Sequence, residues 1–119
     1  MGGYELKSLD KPDESRGFHN GRVDVVAVGG HSIGRIYLQP GWKWYEAVKP
    51  LVNTELCEVR HVGVCVSGRL GVRMSDGTEF QIQKGDAYAV TSAHDAWVEG
   101  EEPYQAIEFE TLAEYAKPS

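Results

Sequence analysis

A chain of 119 residues, 41% hydrophobic and 25% charged, is sized and composed for one soluble domain with a single core. Its net charge of −6 and pI near 5.1 argue against bulk electrostatic attraction to nucleic acid or to an anionic membrane, so a small molecule is the expected partner. No apolar run is long enough to span a membrane, and the polar residues through Asn20 contain no signal-peptide core. With two free thiols, Cys57 and Cys65, the expected location is the cytoplasm.

Residues 1–20 read as a polar arm that lies over a sheet edge or pairs with another subunit. Residues 23–28 are apolar and β-branched and stop at Gly29-Gly30; residues 31–39 follow and stop at Pro40-Gly41. Residues 42–50 are irregular, aromatic and basic, and residues 51–54 lead into a long predicted strand over 55–66. Ser67-Gly68 then turns the chain into residues 70–74. Asp76-Gly77 is a strong hairpin signal because it supplies positive φ, and residues 78–83 alternate up to Lys84-Gly85-Asp86. Strands over 87–91, 94–99 and 104–111 complete the series, and residues 112–119 form a short tail, at most one helical turn. The expected organisation is an arm (1–20), an all-β antiparallel barrel (21–111) and a tail (112–119).

Glu55, Cys57 and His61 share one parity, so on an extended strand they project from one face. His94 comes back to the same neighbourhood after two hairpin signals. Carboxylate, thiol and imidazole from two strands are the ingredients of a metal or acid–base site. Cys57 and Cys65, on that same strand, would lie about 26 Å apart and cannot form a disulfide with each other.

Ser67-Gly68 and Gly85-Asp86 resemble the turns of the two cupin motifs, which define small jelly-roll barrels. Counting back from Gly68 puts His61 at the family's glutamate position, with Cys57 and Glu55 at its two histidine positions. Thr91-Ser92-Ala93 replaces the proline–glycine turn of the second motif, and Ala96 occupies its histidine position, two residues beyond His94. The resemblance covers about residues 33–110, and Pro40-Gly41-Trp42-Lys43-Trp44 is similar to the segment that shapes the barrel mouth in small stand-alone cupins. It implies a single-domain cupin-type antiparallel jelly roll.

Three readings of the site are compatible with these residues. The first is a binding or sensing module that holds a small organic molecule, with or without a divalent metal on Cys57, His61, His94 and Glu55. The second is a small metal-dependent isomerase, lyase or dioxygenase acting on a small polar substrate. The third is a metal-free acid–base enzyme using His61 and Glu55 as catalytic groups. Zinc tolerates the mixed donor set best, with iron or nickel next. Trp42, Trp44 and Trp97 are expected to border the cavity and stack on the ligand. Exposed sheet edges, the polar arm and the face carrying Val62, Val64 and Val66 lead to the expectation of a homodimer.

Overall fold

The computed structural model describes residues 2–118; Met1 and Ser119, the extreme ends of the expected arm and tail, lie outside it. Among the described residues, nine antiparallel strands form two sheets. The larger contains β1 (Glu14–Phe18), β2 (Gly21–Val28), β3 (His31–Leu38), β9 (Tyr104–Phe109), β4 (His61–Ser67) and β7 (Ala87–Val90), in that spatial order. The smaller runs β6 (Glu79–Gln83), β5 (Arg69–Met74), β8 (His94–Glu99). The sheets pack face to face without closing into a continuous barrel. One core joins them, with Val23, Ile36, Leu38, Val90 and Ala106 from the larger sheet and Val72, Ile82, Ala96 and Val98 from the smaller.

The turn residues behave as their chemistry dictates. Gly77 has φ +91° and its N–H donates to Met74 O at 2.9 Å, closing the β5–β6 hairpin. Gly77→Val is expected to cost about 1 kcal/mol or more, because a β-branched side chain at positive φ is strained. Gly63 is constrained by packing instead: a Cβ there would sit 2.3 Å from the backbone oxygen of Ile107 on the neighbouring strand. That oxygen belongs to the sheet ladder and cannot move aside, so Gly63→Ala should destabilise by about 1–3 kcal/mol in denaturant unfolding.

Several sequence expectations need correction. Residues 14–18 of the expected arm are a strand of the sheet, paired in register with β2 from Glu14↔Val25 to Phe18↔Gly21. The irregular segment contains two four-residue helices, α1 (Trp44–Ala47) and α2 (Lys49–Val52), too short to show helical periodicity. Residues 112–118 are more than a tail: a 3₁₀ turn (Leu112–Glu114) leads to Tyr115 and Ala116, and Leu112, Tyr115 and Ala116 are all buried. Arg16 on β1 holds this segment by donating to the carbonyls of Ala113 and Tyr115. Val62 and Val66 lie on the outer face of the larger sheet, 44% and 48% exposed.

The correction with most consequence concerns residues 55–66, which are not one strand. The helix α2 ends at Asn53 in a left-handed conformation (φ 61°), and β4 begins only at His61. Cys57 instead forms an isolated bridge to His94, with backbone hydrogen bonds of 2.8 and 3.1 Å. The chain therefore leaves the margin of the smaller sheet at Cys57 and enters the larger sheet at His61, where it pairs with Val90. On one extended strand the two Cα atoms would be about 13 Å apart. The crossing is what lets their side chains meet.

Candidate metal centre

Cys57, His61 and His94 converge between the sheets, all buried, with their ligand atoms within 4.8 Å of one another. Cys57 Sγ and His61 Nε2 share a hydrogen bond at 3.7 Å, and the two imidazole rings meet edge to face at 5.2 Å. Both cysteines are free, although Cys57 is not on the strand that carries Cys65.

Hydrogen bonding determines which ring nitrogens face the cluster. His94 Nδ1 lies 2.9 Å from Ser92 O, and a carbonyl can only accept, so Nδ1 carries the proton. His61 Nδ1 lies 2.7 Å from Glu108 Oε1. That carboxylate also accepts from Thr111 Oγ1 at 2.8 Å and from Tyr88 OH at 2.7 Å, so His61 is the donor here too. In both histidines Nε2 is therefore the nitrogen left to coordinate. A carboxylate holding the far side of a ligating imidazole is the usual outer support of a metal site. The donor set of one thiol and two imidazole nitrogens fits a divalent transition metal, zinc above all, and leaves coordination positions open.

Glu108 was missed in the sequence because the alternation of β9 misleads. Ile107 and Phe109 have the hydrophobicity of inward residues, yet Tyr104, Ala106 and Glu108 are the buried set. The signal that could have identified it is the shared parity of Glu108 with Tyr104 and Ala106.

The other expected site residues divide cleanly. Trp42 and Trp44 are buried and line the interior cavity with His61 and His94. Trp97 does not: its ring covers Gly71, its indole N–H donates to Glu99 at 2.7 Å, and Arg73 lies 5.7 Å from its ring centre. Glu55 is also outside the cluster; its side chain is 91% exposed and pairs with Lys49 at 3.0 Å. Once the chain bends after Asn53, strand parity no longer aims that carboxylate inward. Glu108 is the carboxylate found beside His61.

The electrostatics couple thiol and imidazole. Burial would push the Cys57 thiol up, but its hydrogen bonds with His61 and His94, aided by their charge, outweigh burial and bring it from 9.0 to about 7. Burial likewise opposes charge on His61, yet the Glu108 carboxylate and then Cys57 raise its pKa to about 10. Burial and then Glu108 push the Tyr88 hydroxyl far upward, so it remains a donor. Without metal the pair exists as thiolate and imidazolium between these two values. Since the thiol's folded pKa lies below its ordinary 9.0, this stabilisation is lost as pH falls through about 7. Ultraviolet titration of metal-free protein should show one thiolate forming with a midpoint near 7, a step absent in Cys57→Ser.

The cavity beside the cluster is small, about 30 Å³. Apart from Glu108, the histidines and tyrosines its walls are apolar: Ile36, Leu38, Leu70, Val72, Ile82 and Val90, together with Trp42, Trp44 and Ala96. Tyr115 closes one side, its ring 5.4 Å from that of His61.

No protein-family model matches the sequence, and no curated protein is similar to it. Solved structures are similar in fold. Ectoine synthase from P. lautus superposes with a TM-score of 0.63 at 15% identity, covering 92% of this chain and 82% of that one. The polyketide cyclase RemF from Streptomyces resistomycificus gives 0.62 at 11% identity, over 90% and 78%. A Klebsiella pneumoniae protein with a double-stranded β-helix domain gives 0.55 at 16% identity, over 87% and 86%. The fold is thus an all-β double-stranded β-helix of the cupin type, and its fold neighbours include enzymes. In its interior stands a Cys/His/His cluster that could hold a metal.

Proposed function

We propose that the protein holds one divalent cation, zinc ahead of iron or nickel, on Cys57, His61 and His94, and presents it to a small organic molecule inside the fold. The observation that supports this reading is the bonding of both Nδ1 atoms to outer partners, which leaves two Nε2 atoms and a thiol to coordinate in a cluster whose ligand atoms lie within 4.8 Å of one another. A bound zinc would supply Lewis acidity and lower the pKa of a bound water. The chain's own contribution is to fix the ligands and exclude solvent. Glu108 holds the proton on His61 Nδ1, Ser92 holds that on His94 Nδ1, and Tyr115 and the tryptophans shield the cluster.

Thiolate with two imidazoles suits zinc better than the hard nitrogen and oxygen ligands of dioxygen-activating iron, so the catalytic form of the proposal is a lyase or isomerase rather than a dioxygenase. A synthase and a cyclase among the fold neighbours indicate that this scaffold can carry an enzyme. The metal-free alternative draws on the His61–Glu108 contact, since Glu55 is too far outside to act with His61.

Loading the protein with cobalt(II) tests the proposal. The expected spectrum contains a thiolate-to-cobalt charge-transfer band that disappears in Cys57→Ser. An identical spectrum in both proteins would overturn the assignment of the thiol.

A further inference from the structure

We infer that the interior site selects an uncharged, compact carbonyl compound over a carboxylate of the same shape. The inference rests on the proposed metal-bearing interior being the ligand site, and goes further by assigning the ligand's charge and hydrogen-bonding type.

The hydrogen-bonding type follows from unpartnered donors. Trp42 Nε1 and Trp44 Nε1 are buried without a hydrogen-bond partner among the described residues, and both tryptophans line the cavity beside His61 and His94. Trp42 is only 2% exposed, and Trp44 1%. An indole N–H can only donate, so whatever satisfies it must bring an acceptor. The apolar walls of Ile36, Leu38, Val72 and Ile82 suit the hydrocarbon part of such a ligand, and the narrow cavity favours few atoms.

The charge follows from counting. With a divalent cation bound, the Cys57 thiolate and the Glu108 carboxylate already balance its two charges, and both histidines are neutral. Among the described residues, no lysine or arginine lines the cavity. A bound carboxylate would therefore leave one uncompensated negative charge among apolar walls, which is strongly unfavourable. Without metal the walls are the same, apolar and without a lysine or arginine among the described residues, so the preference keeps its sign. A carbonyl oxygen can take the donor of Trp42 without adding charge.

Acetamide and acetate make the test, being nearly the same shape and differing in charge. Full-length protein labelled with nitrogen-15 is titrated with each, with and without zinc, following the Trp42 indole N–H resonance and measuring zinc in the same samples. Acetamide should shift that resonance with an affinity at least about tenfold above that of acetate in both forms. Trp42→Phe, followed at the Trp44 indole N–H resonance, should weaken acetamide binding at least about threefold. Acetate binding as tightly as acetamide, no shift with either, or unchanged affinity in Trp42→Phe would overturn the inference. A protein that binds no zinc yet still prefers acetamide would sink the metal proposal and uphold this one.

Discussion

His61→Ala is expected to reduce bound zinc from near one equivalent per chain to less than about a tenth. The residue does two things that no neighbour can replace. Its Nε2 faces the Cys57 thiol at 3.7 Å, and its Nδ1 occupies one of the three hydrogen bonds that satisfy Glu108. Truncation also leaves a cavity under Tyr115, whose ring packs 5.4 Å from that of His61. The metal-free variant should therefore lose about 2–4 kcal/mol while keeping its all-β circular dichroism, since Glu108 retains Tyr88 and Thr111. Elemental analysis and thermal unfolding check the two halves. Zinc retained at full occupancy would mean that the ion sits elsewhere.

The second large effect is expected at Glu108, which contacts no metal position. In Glu108→Gln the amide oxygen can still accept from His61 and Thr111, and the amide nitrogen can donate to Tyr88, so the packing survives. The charge does not. The imidazole of His61 becomes a poorer donor, and the interior is left one negative charge short against a divalent cation. Zinc affinity should fall about 10- to 100-fold, while the metal-free protein keeps its fold with some loss of stability, because the buried imidazolium loses its counter-charge. The same substitution should lower the pKa of His61, which Glu108 raises against the opposing effect of burial. Competition with a zinc chelator measures the first effect and histidine proton resonances the second. Equal zinc affinity in the two proteins would reduce Glu108 to a structural role. In wild-type protein zinc binding should also weaken toward acidic pH, because thiol and imidazole must both shed protons to coordinate.

Much of this architecture was legible in the residues. Asp76-Gly77, Ser67-Gly68 and Gly85-Asp86 marked the turns, and the alternating segments between them marked all but the first strand. That strand, β1, escaped because Glu14 to Phe18 is polar and lies at the sheet margin, where one face needs no apolar residues. Cys57, His61 and His94 were readable as a cluster, but the geometry behind it was not. Parity on a continuous strand would also have brought Glu55 inward, whereas the left-handed Asn53 and the isolated Cys57–His94 bridge carry the chain between sheets. Glu108 and Tyr115 were invisible for a different reason. The hydrophobicity of Ile107 and Phe109 disguises the inward face of β9 that carries Glu108, and Tyr115 is folded over the site by contacts with Arg16, far away in sequence.

X-ray absorption at the zinc edge of the loaded protein tests the central claim most directly, because it identifies ligand atoms without depending on activity. One sulfur at about 2.3 Å and two imidazole nitrogens at about 2.0–2.1 Å are expected, with the sulfur lost in Cys57→Ser. A zinc shell of oxygen and nitrogen alone in the wild-type protein would contradict a Cys57–His61–His94 centre.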